Sequence, residues 1–115
     1  MATFKTIEDL SLSLPKVTIE PHFKKTSFRI QKKIFLTFDQ KNNRATVKLS
    51  EIDQNVFCLL DKKAIYPVDN KWGKQGWTFI EIEKINEKLL QDVITTAYCE
   101  VAPEKLASTV RPNSQ

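Results

Sequence analysis

Basic side chains dominate the first half of this 115-residue chain, and they are the residue types that bind polyanions. Between residues 21 and 50, eight lysines and arginines accompany one acid, Asp39, which gives this segment a net charge of +7. From residue 75 onward, four basic residues accompany six acidic ones, a net charge of −2. Such polarity steers an anionic partner to one side of a protein. A lysine-rich surface that only keeps the protein soluble explains the same composition, and both interpretations stay open.

Aromatic residues alternate with basic ones in the segments that have the period of β-strands. If Ile30, Leu36 and Val47 point into the core, the residues between them point outward. The predicted outward set is Arg29, Phe35, Thr37, Thr46, Lys48, Trp77 and Phe79. An open sheet face of this kind attracts phosphates and stacks unpaired bases. The alternative is that Phe35, Trp77 and Phe79 form a protein-contact patch covered by a loop, a tail or a second subunit.

Three predicted strands between residues 27 and 49, joined by short loops, form an antiparallel β-meander. The predicted nucleic-acid contacts are its six basic residues: Arg29, Lys32, Lys33, Lys41, Arg44 and Lys48. Two basic hairpin tips, at residues 31–33 and 39–44, are expected to straddle a nucleic-acid backbone as wings. Binding by such a surface is non-specific, with a Kd on the order of 10⁻⁴–10⁻⁶ M at physiological salt. Charge reversal at Arg29 and Lys48 together is expected to weaken binding to all sequences alike.

The only histidine, His22, lies two residues after Glu20. A histidine beside a carboxylate has the chemistry of a general base. However, no serine or cysteine stands at a recognisable nucleophile spacing, so we expect a structural or surface role for His22 and no enzymatic activity.

The only two glycines, Gly73 and Gly76, lie within the segment 71–77 between two tryptophans. Their concentration predicts positive φ angles or close backbone approach. This loop is either a phosphate-binding turn with Lys74 nearby or a loop anchored by Trp72 and Trp77.

Cys58 and Cys99 fall in apolar helical patterns outside any CxxC spacing, which predicts two free thiols in a reducing compartment. Two cysteines and one histidine do not supply a zinc site, and no cofactor motif is present, so neither metal nor cofactor is expected.

No apolar run approaches the roughly 20 residues of a membrane span. Residues 1–15 lack the regions of a signal peptide. We therefore expect a soluble, cytoplasmic protein, with a monomer favoured.

The elements that position these residues follow from hydrophobic periodicity. Helical spacing predicts helices over 3–13, 51–61 and 87–101. Ser50 and Asn86 are the predicted N-caps of the last two helices. The predicted inward stripe of the last helix is Leu90, Val93, Ile94, Ala97 and Val101. Alternation predicts strands over 27–31, 33–39, 44–49 and 77–82, with short extended pieces at 17–20 and 66–69. The apolar stripe of the second helix is Ile52, Val56, Leu59 and Leu60, and Leu59 is expected to face Val47 across the core. The predicted fold is a two-layer α+β domain over 1–107, with an antiparallel sheet of about five strands, helices on one face and a flexible tail over 108–115.

Several short motifs follow in an order that resembles the MmcQ/YjbR family. They are Phe28-Arg29-Ile30, Lys33-Ile34-Phe35, Ala45-Thr46-Val47-Lys48-Leu49-Ser50, Tyr66-Pro67-Val68, Trp72-Gly73, Gly76-Trp77-Thr78 and Val101-Ala102-Pro103-Glu104-Lys105-Leu106. The resemblance covers residues 14–106. It implies a two-layer domain similar in plan to type III secretion chaperones, and DNA binding by a "double-wing" arrangement of strands. Lys32-Lys33 departs from the family, which often has glycine before the lysine. Protein interaction without catalysis is the alternative function that the chaperone-like plan implies.

Overall fold

The computed structural model describes residues 2–111 and consists of five helices and six strands. The helices are α1 (Phe4–Leu12), α2 (Glu51–Leu60), α3 (Lys71–Lys74), α4 (Glu87–Val101) and α5 (Glu104–Ala107). The strands are β1 (Val17–His22), β2 (Lys25–Ile30), β3 (Lys33–Asp39), β4 (Arg44–Lys48), β5 (Ile65–Pro67) and β6 (Trp77–Glu81). Every predicted element is present with its ends shifted by at most two residues. The predicted α+β class is confirmed.

The six strands form one antiparallel sheet in the order β1-β2-β3-β4-β6-β5. The predicted meander is confirmed, and the short extended piece before it is a full strand, since Val17 to His22 pair with Ile30 to Lys25. Strand β5 lies at the far edge because β6 inserts between it and β4.

Helices α1 and α4 cover one face of the sheet, which we call the inner face. Phe4 of α1 packs on Phe38, with ring centroids 5.1 Å apart. The predicted inward stripe of α4 is buried from Leu90 to Ala97. Tyr98 of the same helix is also buried, and its hydroxyl donates to the carbonyl oxygen of Pro15 at 2.8 Å. Apolar packing on this face holds the meander in one register.

Phe35 lies in the core, which corrects the prediction that it points outward. A β-bulge interrupts the β2–β3 ladder, so that Phe28 pairs with Leu36 while Arg29 pairs with Ile34. The extra residue breaks the strict alternation, and Phe35 and Leu36 are both fully buried. The Phe35 ring meets Tyr98 edge to face at 5.7 Å. Phe35 is therefore a packing residue and not part of an outer contact patch.

The predicted apolar stripe of α2 faces solvent, which corrects both the stripe and the contact between Leu59 and Val47. Ile52, Val56, Leu59 and Leu60 are 76, 50, 71 and 62% exposed. The helix begins at the predicted Ser50 cap, whose hydroxyl accepts from the N–H of Asp53 at 3.0 Å.

The inward side of α2 carries Gln54, which is buried, and Phe57, which packs partly against the core. The Nε2 of Gln54 donates to the carbonyl oxygens of Gly73 and Trp77 at 2.9 and 3.2 Å, and to Thr78 Oγ1 at 3.1 Å. These hydrogen bonds offset the cost of burying the polar amide group. The face of α2 that meets the rest of the domain therefore carries Gln54 and Phe57 and not the predicted stripe.

Both cysteines have free thiols in the structure, at half-buried positions. Burial raises the pKa of each thiol, which favours the protonated, unreactive form.

Residues 108–111, within the predicted tail, continue from α5. Val110 packs partly against the core, and Arg111 donates to the Glu104 carboxylate at 2.8 and 3.0 Å. Residues 112–115 lie outside the described residues, so the boundary at 107 stays a prediction. No helix in the described part of the chain is long and apolar enough to span a membrane.

Candidate functional site

A concave cleft of about 430 Å³ lies on the outer face of the sheet, opposite the helices that cover the core. Its floor is formed by Ile34, Thr37, Thr46, Trp77 and Phe79, which come from β3, β4 and β6. One wall is the β1–β2 hairpin, which contributes His22 and Lys25, and the other is the segment 68–72, which contributes Val68, Asp69, Asn70 and Trp72. We call this feature the outer cleft. Its size and largely apolar floor suit a small planar group such as one nucleobase.

Two glycines hold the second wall against the sheet through close backbone contacts. A Cβ atom on Gly73 would lie 1.8 Å from the carbonyl oxygen of Val68, and one on Gly76 would lie 1.8 Å from that of Leu49. Gly76 also has a φ of +103°, a conformation that favours glycine. The predicted close approach is confirmed, and the predicted loop contains the short helix α3.

Three aromatic side chains line the outer cleft. Trp77 and Phe79 lie half-buried in its floor, as predicted, while Trp72 rises from the wall and is half exposed. Asn70 positions this wall, because its side-chain oxygen accepts from the N–H of Trp72 at 2.9 Å. Both tryptophans of the chain are therefore in the cleft, so intrinsic fluorescence reports directly on its occupancy.

The two basic residues of the predicted outward set, Arg29 and Lys48, each lie within 4.0 Å of an acid, and the acid beside Lys48 belongs to α4, on the other side of the sheet. Arg29 Nε lies 4.0 Å from Glu20 Oε1 and donates to Ser27 Oγ at 2.9 Å. Lys48 Nζ lies 4.0 Å from Glu100 Oε2 and donates to the carbonyl oxygen of Leu49 at 3.1 Å. These contacts hold the side chains in place and reduce their free positive charge.

Arg44, a predicted contact at the tip of the β3–β4 hairpin, belongs to a cluster beside the cleft. Its Cζ lies 3.9 Å from the centroid of the Phe79 ring, and its Nη1 lies 3.9 Å from Glu81 Oε2. Tyr66 donates its hydroxyl proton to the same carboxylate, and this hydrogen bond raises the pKa of Tyr66. The cluster covers one side of Phe79 and leaves the two tryptophans as the more accessible stacking surfaces.

The hairpin tips that carry the remaining predicted contacts lie at opposite ends of the sheet. Lys32 and Lys33 are at the β2–β3 tip, and Lys41 is at the β3–β4 tip. Successive hairpins of a meander turn at alternate ends, so β3, with seven residues, separates these tips by about 20 Å. The β1–β2 tip, which carries Lys24 and Lys25, lies at the same end of the sheet as the β3–β4 tip. The two tips predicted to act as wings therefore lie at opposite ends of the sheet, and the tip beside Lys41 belongs to the β1–β2 hairpin.

The model of one protein family matches residues 12–100, and that family is YjbR. The chain belongs to the YjbR family. A solved structure with the same fold is the crystal structure of Deinococcus radiodurans protein DR2400, a DUF419 family-model domain. It has a TM-score of 0.77 and 16% sequence identity, and the match covers 100% of this chain and 93% of that chain. No curated protein matches the chain.

The sequence patterns did not predict several residues of the outer cleft and its rim, among them Lys24, Lys25 and Trp72. Lys24 and Lys25 contribute to the basic segment but were not among the predicted contacts, and Trp72 was placed only in a loop. Lys24 and Lys25 follow Phe23, which adopts a positive φ of 58° and closes the β1–β2 hairpin. Phe23 itself is almost completely exposed at this tip.

His22 lines the cleft as a wall residue of the YjbR-family fold. Its ring stacks edge to face against Phe23, with centroids 4.7 Å apart. Glu20 lies on the same side of β1 but pairs with Arg29 instead. Within residues 2–111, no cluster of three metal-binding side chains occurs.

Proposed function

We propose that this protein binds nucleic acid weakly, non-specifically and mainly through electrostatic attraction, with an unpaired base entering the outer cleft. The observation that carries this proposal is the combination of an aromatic cleft with exposed lysines at both ends of the strands that form it. Aromatic stacking tolerates any base, and lysine contacts to phosphates carry no sequence information. Both features therefore favour binding without sequence specificity.

The free positive charge comes from five lysines at the hairpin tips: Lys24, Lys25, Lys32, Lys33 and Lys41. All five are exposed, and none is in an ion pair with an acid of the described chain. Exposed ammonium groups release counterions from a phosphate backbone at little structural cost. A strand that runs along β3 across the cleft meets such groups at each end. Lys25, which also lines the cleft, is the closest of them to a bound base.

Single-stranded nucleic acid fits this surface better than a duplex does. Stacking in the cleft requires a base whose face is free, which a paired base does not offer. The helices α1 and α4 are committed to the core, so neither is available as a recognition helix for a major groove. We assign Arg29, Arg44 and Lys48 a supporting role, because their charges are balanced by neighbouring acids.

The test is a titration with a short single strand and with the matching duplex, each at about 50 and about 200 mM salt. Quenching of tryptophan fluorescence reports cleft occupancy, and anisotropy of a labelled strand reports total binding. We expect a Kd on the order of 10⁻⁴–10⁻⁶ M, tighter for the single strand and weaker at high salt. Absence of binding at low salt would contradict the proposal.

Variants separate the electrostatic part from the stacking part. Reversal of Lys24 and Lys25 to glutamate is expected to weaken binding to both ligands and to lower the salt slope by about 2. Reversal of Lys88 and Lys105, exposed residues of α4 and α5, changes the net charge equally and is the matched control. If both pairs have the same effect, net charge and not this surface determines binding.

Stacking is tested by Trp72→Ala, which is expected to weaken single-strand binding about 5- to 150-fold, the loss of about 1–3 kcal/mol for one stacked base. Trp72→Phe keeps an aromatic face and is expected to restore most of the affinity. Duplex binding is expected to change little in either variant. An equal loss for duplex and single strand would show that no base enters the cleft.

Protein interaction without nucleic acid is the second candidate function. The observation that favours it is the exposed apolar stripe of α2, since such patches on a soluble domain mark contact surfaces. We propose binding and not catalysis for the outer cleft as well, because the one histidine in its lining packs on Phe23. A cytoplasmic location accords with either role.

A further inference from the structure

The exposed side of α2 forms one continuous apolar surface. Ile52, Val56, Leu59 and Leu60 recur at spacings of four, three and one, which places them within about 100° of the helix circumference. We call these four residues the α2 stripe. They include half of the large apolar side chains that the described chain exposes, and they are the only ones gathered on one helix. Their exposure costs free energy that a partner would recover.

The charges at the ends of α2 indicate what that partner is. The first turn carries Glu51 and Asp53, and the exposed Lys62 and Lys63 follow the last turn. Asp61 precedes the two lysines, and its carboxylate accepts the N–H groups of Lys63 and Ala64 at 3.2 Å, so residues 61–63 carry a net charge of +1. The helix is therefore acidic at one end and basic at the other, so it complements a copy of itself in the opposite direction.

We infer that the α2 stripe is a self-association surface, on which a second copy of this chain docks α2 antiparallel to α2. A two-fold axis near Val56 would place Val56 against Val56, and Ile52 against Leu60 of the second copy. The interface is isologous, as in most dimers. Glu51 then lies opposite the end formed by Asp61, Lys62 and Lys63 of the second copy, which has a net charge of +1. Leu59 also borders a groove of about 470 Å³ between α2 and β5, which gives the second copy a depression to fill.

The dimer is expected to be weak. A stable interface buries about 800 Å² per partner, and four side chains supply only its apolar centre. Asn55 and the charged end residues would form the polar rim. We therefore expect a dissociation constant in the micromolar range, so that monomer and dimer interconvert with concentration.

Sedimentation equilibrium from about 5 to about 500 µM protein tests this inference, because this range brackets a micromolar constant. Val56→Glu places two like charges at the symmetry axis and is expected to weaken dimerisation at least about 100-fold, a typical loss for a central interface residue. Phe23→Glu, a change at an even more exposed apolar residue, is the control and is expected to leave it unchanged. Far-UV circular dichroism checks that both variants are folded.

A charge swap tests the antiparallel arrangement. Glu51→Lys and Lys62→Glu are each expected to weaken the dimer by up to about tenfold, since a dimer has two copies of the contact. The double variant is expected to recover the wild-type constant within about twofold. A protein that stays monomeric over the whole range would overturn the inference, as would a dimer that Phe23→Glu disrupts and Val56→Glu does not. Additive weakening in the double variant would overturn the antiparallel arrangement.

Discussion

Replacement of Phe35 by alanine is expected to lower the free energy of unfolding by about 3–5 kcal/mol, the usual cost for a large buried aromatic side chain. The ring is fully buried and packs edge to face on Tyr98, so its removal leaves a cavity between β3 and α4. Urea denaturation followed by circular dichroism measures the change. We expect a loss of this size only because the β-bulge places Phe35 in the core.

Leu59→Ala is the matched comparison for Phe35→Ala. Both variants truncate an apolar residue, but Leu59 is mostly exposed on α2. The measurement uses about 1 µM protein, at which a micromolar dimer is mostly dissociated. Leu59→Ala is then expected to change the free energy of unfolding by no more than about 0.5 kcal/mol. A large loss for Leu59→Ala with a small loss for Phe35→Ala would mean that strict alternation, and not the bulge, describes β3.

Gly76→Ala is expected to destabilise the protein by about 3 kcal/mol or more. Two costs combine, since the new Cβ would overlap the carbonyl oxygen of Leu49 and the φ of +103° strains any residue with a side chain. The overlapping atoms are backbone, so no side chain can rotate away. The same contact holds the wall of the outer cleft, and tryptophan fluorescence is expected to change together with stability.

Gln75→Ala provides the control for Gly76→Ala. Gln75 is the exposed residue just before it, with a φ of −91° that alanine adopts without strain. Its effect is expected to stay within about 0.5 kcal/mol. If Gly76→Ala is as mild as this control, the backbone contact between Gly76 and Leu49 is not a determinant of the fold.

The basic residues that have acidic neighbours and those that have none lie in different parts of the sheet. Arg29, Arg44 and Lys48 each lie within 4.0 Å of an acid from β1, β6 or α4, while the lysines at the hairpin tips form no ion pair with an acid of the described residues. A net charge counted along the sequence therefore overstates the charge of the sheet face and understates the importance of its ends. Phosphate contacts are expected at the tips, and base contacts between them.

The sequence by itself determined the order of the strands and of the three longer helices, with ends within two residues, but not the short helices α3 and α5. Alternation of apolar residues marked β3 and β4, Ser50 and Asn86 marked the starts of α2 and α4, and two glycines marked the close backbone contact near Trp72. These signals are local, because they depend on neighbours within one turn or one strand. The same signals, taken in order, indicated the family.

Only the tertiary structure decided which faces are buried and which charges are free. The β-bulge turned Phe35 into the core, and α2 buries Gln54 against acceptors of residues 73–78 while its apolar stripe faces solvent. Acids far along the chain, Glu81 and Glu100, lie within 4.0 Å of Arg44 and Lys48. Each outcome depends on a group that is remote in sequence. Periodicity describes one element at a time, whereas burial and ion pairing depend on what the other elements bring to it.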